Sequence, residues 1–157
     1  MSAFRRRRGI AAAAGLLAAA VFAVAACGGD GEEEAAADPG GGTPVAATLG
    51  GDAGEYAITV DPTSAAGGDI TFSIVNEGEL EHEFEIFSGS VDPAEVPVED
   101  ERANFEGLEL GEIDEVEDIA GGGEAQLTVD LPAGDYLLVC NLPGHFGQGM
   151  HTTFSVE

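Results

Sequence analysis

Three side chains with metal-binding chemistry lie on one short loop, Cys140-Asn141-Leu142-Pro143-Gly144-His145-Phe146-Gly147-Gln148-Gly149-Met150. Cys140, His145 and Met150 bring a thiol, an imidazole and a thioether, each five residues from the next, directly after the apolar run from Tyr136 to Val139. Thiolate and thioether favour the soft cuprous ion, and imidazole binds both oxidation states, so the set suits copper. Zinc has little use for Met150. A mononuclear copper site that changes redox state takes two imidazoles, a thiolate and a weak axial thioether, so a second histidine must come from elsewhere in the chain. His82 is the candidate. His151, beside Met150 at the start of the last apolar stretch, reads as a solvated residue; an exposed edge of the site and an adventitious ligand are its other readings. Taken singly, a histidine or a methionine is usually solvent-facing or core filler. It is the combination of four that points to a metal.

The elements that must position these residues read as short β-strands bounded by turn residues. Tyr56, Ile58 and Val60 alternate with Glu55, Thr59 and Asp61 before Pro62 ends the run, and Ile70, Phe72 and Ile74 alternate with Thr71 and Ser73. His82, Phe84 and Ile86 share one parity, so an extended chain there points His82 to the same face as two apolar residues. Leu127, Val129 and Leu131 form a further alternating run, Pro132-Ala133-Gly134 makes a turn, and Phe154 and Val156 close the chain. Strands at this spacing predict an all-β Greek-key sandwich. Leu131-Pro132-Ala133-Gly134-Asp135-Tyr136 resembles the tyrosine corner of such sandwiches. Residues 89–123, acidic with scattered apolar positions, read mainly as a long connecting loop with one or two short elements, Ile113 and Val116 marking a helical turn or an irregular edge strand.

The run Gly134 to Cys140, followed by Pro143-Gly144-His145 and Gly149-Met150, resembles the ligand loop of the cupredoxin (type 1 blue copper) family. Its Cys-x4-His-x4-Met spacing is most similar to the rusticyanin and sulfocyanin type. Asn76-Glu77-Gly78 and His82-Glu83-Phe84 resemble the first-histidine region of the same family, and the resemblance spans residues 55–157. It implies a cupredoxin-like domain over those residues, one type 1 copper ion on His82, Cys140, His145 and Met150, and outer-sphere electron transfer rather than catalysis. One departure is Glu83, where plastocyanins and azurins carry an asparagine that ties the two ligand loops together; how the loops are tied here is left open. A copper chaperone or storage protein is the alternative function, since the same donors would serve it. A small copper enzyme such as a nitrite reductase is disfavoured because no second set of histidines exists.

The amino terminus reads as a targeting segment. Arg5 to Arg8 form a basic region, Ile10 to Ala26 an uncharged apolar run, and Val24-Ala25-Ala26-Cys27 resembles a bacterial lipobox. That resemblance implies a signal peptide over 1–26, lipidation of Cys27 and an outward-facing protein of the cell envelope, anchored to the membrane. A transmembrane span is the rival reading, but 17 apolar residues rich in alanine are marginal for a bilayer. Residues 27–54, rich in Gly, Ala, Asp and Glu, read as a flexible tether because they offer too little apolar surface to offset ordering entropy. Once Cys27 carries lipid, Cys140 is the only thiol left, so no intrachain disulfide is available.

The chain has 30 acidic and five basic residues, and four of those five are Arg5 to Arg8. With the signal segment removed, Arg102 alone faces 30 acids, a formal charge of about −29. Nucleic acid is excluded as a partner, because phosphate contacts need Lys and Arg. Such an acid surplus reads first as a solvated, monomeric surface and second as a field that steers basic-surfaced redox partners.

Overall fold

A computed structural model describes residues 41–157 of the 157-residue chain; the signal segment, Cys27 and the first part of the tether lie outside the described residues. The order is β1 (Thr43–Leu49), β2 (Ile58–Asp61), β3 (Ser64–Ala65), β4 (Gly68–Asn76), β5 (His82–Ser88), β6 (Val98–Glu99), β7 (Arg102–Ala103), β8 (Gly111–Ile119), β9 (Glu124–Leu131), β10 (Gly134–Val139) and β11 (His151–Val156). No α-helix occurs among the described residues. One sheet runs β2-β1-β4-β9 and the facing sheet β3-β11-β10-β5-β8, while β6 and β7 form a separate hairpin.

Alternation places the core. In β4, Ile70, Phe72 and Ile74 are buried while Ser73 is exposed, and the matching buried positions are Val45 and Ala47 on β1 and Val129 on β9. From the opposite sheet come Phe84, Ile86, Leu138 and Phe154. Phe72 meets Phe84 and Phe154 with ring centroids 5.4 Å away in each case. Truncating a ring at the centre of such a cluster typically costs about 3–5 kcal/mol. The tyrosine corner is present, with Tyr136 Oη donating to the Pro132 carbonyl at 2.6 Å.

Two expectations need correction. The tether read over 27–54 stops short of its expected end. Residues 43–49 form β1, which pairs in parallel with β4 and buries Val45, Ala47 and Leu49, and residues 51–53 form a 3-10 turn. Small residues between glycines and a proline look like linker; only the long-range pairing with β4 makes them a strand. The segment after Ser88 is also more ordered than a loop, because β8 is nine residues long and pairs antiparallel with β5. Its register slips twice, so three residues of β8 span two of β5 near His82 and two span one near Phe87. Each extra residue is a bulge. The apolar positions Ile113, Val116 and Ile119 therefore recur every third residue, which hides the strand period of two.

Residues 89–110 cover the outer face of the second sheet. Val96, Ala103, Phe105, Leu108 and Leu110 pack on Phe87, Leu137, Val139 and Phe146. As a result β5 is buried on both faces, and only Ser88 at its end is partly exposed.

Candidate metal centre

Strand direction brings the donors to one end of the sandwich. β5 and β10 are antiparallel neighbours with Val139 opposite Glu85, so the start of β5, at His82, lies beside the end of β10, where Cys140 follows. From Cys140 the chain leaves the sheet, makes a 3-10 turn over Phe146–Gln148 and returns as β11 directly after Met150. That loop is closed by its own backbone: Cys140 N–H donates to the Met150 carbonyl (3.0 Å), Met150 N–H to that of His145 (3.2 Å) and Gln148 N–H to that of Gly144 (3.1 Å). Gly149 ends the turn at φ +102°, a conformation that favours glycine.

Three donor atoms converge. His82 Nδ1 and His145 Nδ1 are 3.2 Å apart, and Cys140 Sγ is 3.3 Å from His145 Nδ1 and 3.9 Å from His82 Nδ1. A point equidistant from all three lies about 2.0 Å from each, the scale of a bond to a first-row metal ion. His82 and Cys140 are fully buried and His145 partly so. Met150 is fully buried in the same apolar cluster as Cys140.

The electrostatics fit a cation. Burial holds the imidazole of His145 below its ordinary pKa, and burial with the facing His145 does the same to His82, so both rings keep a lone pair to donate. Burial pushes the Cys140 thiol up to about 11, with Glu83 and Glu85 adding to the rise. A bound cation reverses that cost by taking the thiolate directly.

Glu83 answers how the ligand loops are joined. Its backbone N–H donates to Cys140 Sγ at 3.4 Å, and its Oε1 accepts from Asn141 N–H at 2.7 Å. The β6–β7 hairpin braces the loop from the other side. Asn141 Oδ1 accepts from Ala103 N–H (2.6 Å), Asn141 Nδ2 donates to the Ala103 carbonyl (3.1 Å), and Arg102 Nη1 donates to the Asn141 carbonyl (2.6 Å).

His151 is half-buried rather than solvated. Its ring packs tilted against that of Phe146 with centroids 4.9 Å apart, and it is not one of the convergent donors. Of the apolar residues on the loop, Phe146 is buried, Leu142 partly so, and Pro143 exposed. Two neighbours of the site gave no signal in the sequence. Tyr56 sets its ring edge-on to His145 at 5.1 Å instead of continuing β2, and the Glu55 carboxylate lies 3.4 Å from His82 Nε2. β2 begins only at Ile58, so Glu55 and Tyr56, which the alternation places in the strand, belong instead to the β1–β2 connection, and only the tertiary fold carries that connection to the metal end.

This β-sandwich, with two histidines and a cysteine gathered at one end, is a cupredoxin. Solved structures agree with that fold. Rusticyanin from Thiobacillus ferrooxidans is 19% identical, with 73% of this chain and 76% of that one covered and a TM-score of 0.53. Auracyanin from Roseiflexus castenholzii is 21% identical (73% and 95% covered, TM-score 0.51). Auracyanin A, a "blue" copper protein from Chloroflexus aurantiacus, is 22% identical (73% and 99% covered, TM-score 0.50). No curated protein matches the chain. Residues 49–157 match the sulfocyanin (SoxE) domain model, and the chain belongs to that family.

Proposed function

We propose that the domain holds one type 1 copper ion on His82, Cys140, His145 and Met150, the thioether being the weak donor, and that it carries single electrons without transforming a substrate. The observation that carries this reading is the convergence of two imidazole nitrogens and one thiol sulfur, all within 3.9 Å, in a buried site. Bound there, copper supplies a one-electron couple. The chain's part is to exclude water and to hold the donors on β5 and on the loop between β10 and β11, so that little moves when the charge changes. Met150 and the apolar residues around it set how strongly the reduced state is favoured. His145 is the partly exposed member of the donor set, which suits it as the route for the electron to and from a partner.

The lipobox-like Cys27 supports an outward-facing, membrane-anchored lipoprotein of the cell envelope, and residues 28–42 supply the tether. The acid surplus supports a monomer that meets basic-surfaced redox proteins. Visible absorption with a reversible redox titration tests the proposal. An intense thiolate-to-copper band that bleaches on one-electron reduction is expected. A protein that binds cuprous ion tightly but never shows that band belongs instead to copper delivery or storage.

A further inference from the structure

Glu55 reaches the site from the connection between β1 and β2, and its carboxylate is fixed before it meets the histidine. Oε1 accepts from the N–H groups of Glu79 (3.0 Å) and Leu80 (2.8 Å), and Oε2 from that of Glu79 (3.1 Å). These backbone donors, Leu80 first, hold the carboxyl below its usual range. Gly78 makes room for it. A Cβ there would stand 2.6 Å from Glu55 Oε1 and 3.1 Å from Asn76 Oδ1, so a larger residue would push the carboxylate away.

The fixed Oε1 lies 3.4 Å from His82 Nε2. That nitrogen is on the opposite side of the ring from Nδ1, which faces Cys140 and His145. It is fully buried and is the one buried side-chain polar atom without a hydrogen-bond partner among the described residues. When Nδ1 gives its lone pair to a cation, Nε2 must carry the proton. Glu55 Oε1 is then the acceptor within reach. Histidines that bind metals commonly donate their second N–H to a carboxylate, which fixes the ring and raises its basicity.

We infer that Glu55 is a positioning residue for the metal centre: its carboxylate sets the tautomer and orientation of His82 and makes Nδ1 a stronger donor, favouring cupric over cuprous copper. The inference rests on the copper reading above. Its consequence is a reduction potential held lower than the four ligands alone would give.

The test compares copper-loaded full-chain wild type, Glu55→Gln and Glu77→Gln. Gln keeps an acceptor for the Glu79 and Leu80 N–H groups, and Glu77, an exposed carboxylate on the β4–β5 connection, serves as the charge control. Glu55→Gln is expected to keep the visible band and to shift the balance of cupric over cuprous affinity about tenfold toward cuprous, a potential rise of about 59 mV for one electron. Glu77→Gln is expected to leave the potential in place. In proton NMR of the cuprous forms, the His82 Nε2–H resonance is expected to move upfield in Glu55→Gln alone. A coloured Glu55→Gln with wild-type potential and an unmoved resonance would overturn the inference and leave Glu55 as a loop fastener. A wild type without the band overturns the copper reading, and this inference with it. Should Glu55→Gln not fold, Glu55→Asp keeps the charge but withdraws it from Nε2, and an unchanged potential there overturns the inference equally.

Discussion

Glu83 grips the backbone of Asn141: its Oε1 takes the Asn141 N–H at 2.7 Å across 58 residues of sequence, joining the strand that starts with His82 to the loop that starts with Cys140. A hydrogen bond to a carboxylate contributes about 1.5–3 kcal/mol. Glu83→Ala is therefore expected to lower the stability of the copper-free protein by that amount in denaturant unfolding at pH 5. Glu83→Gln, which keeps an acceptor, is expected to lose less. Equal stability in all three would mean that the hairpin contacts to Asn141 suffice.

Cys140→Ser is expected to abolish the charge-transfer colour while leaving the far-ultraviolet circular dichroism of a β-sandwich. The sulfur supplies the covalency with copper, and the strands supply the stability. A visible band that survives the substitution would move the site elsewhere.

Met150 is best judged by potential rather than by occupancy. A weakly donating thioether would add little affinity but would donate to the oxidised state, so Met150→Leu should still bind copper at a raised potential, while Met150→Gln, with a harder oxygen donor, should lower it. Titrations at matched pH and salt decide this. An unchanged potential in Met150→Leu reduces the residue to packing.

Glu85 gives the stability a pH dependence of defined sign. It is 9% exposed on β5, and burial, then Glu83 on the same strand and Glu115 and Glu112 on β8, push its carboxyl up to about 8. Between an unfolded value near 4.5 and that folded value, the native protein holds a proton that the unfolded chain releases. Stability from this group therefore falls as pH rises from about 4.5 through about 8. Glu85→Gln is expected to flatten that slope, gaining on the order of 2–4 kcal/mol over wild type at pH 8.5 and almost nothing at pH 4.5. Parallel unfolding curves across the range would show that Glu85 ionises normally.

Cys27→Ala is expected to move the protein from the membrane to the soluble fraction, because the acidic domain has no attraction of its own for anionic lipid. Retention after a salt wash would indicate an uncleaved apolar anchor.

The residues that carry chemistry and the strands that alternate cleanly were legible in the sequence. His82, Phe84 and Ile86 share a parity and are all fully buried, and Tyr136 bonds back to Pro132 as its turn predicts. What could not be read depended on distant partners. β1 is a strand because β4 lies beside it, and the two bulges of β8 replace a period of two with a period of three. Glu55 carries no local mark at all, since its relation to His82 spans 27 positions and exists only once the β4–β5 connection closes over its carboxylate. Glu83 was visible as a departure from the family pattern. Its side chain makes the tie by a route that the difference in residue type did not reveal.

The covering of β5 on both faces sets the timescale on which the metal end can open. Its residues 85–88 pair with β10 on one side, β8 lines the other, and two apolar clusters cover its faces, so exchange of the amides on the β10 side requires the sandwich to open. The edge strands β2 and β3, neither of them paired to β5, can fray without disturbing it. His82 opens this strand fully buried, so the residue comes free only when the covering of the strand is lost.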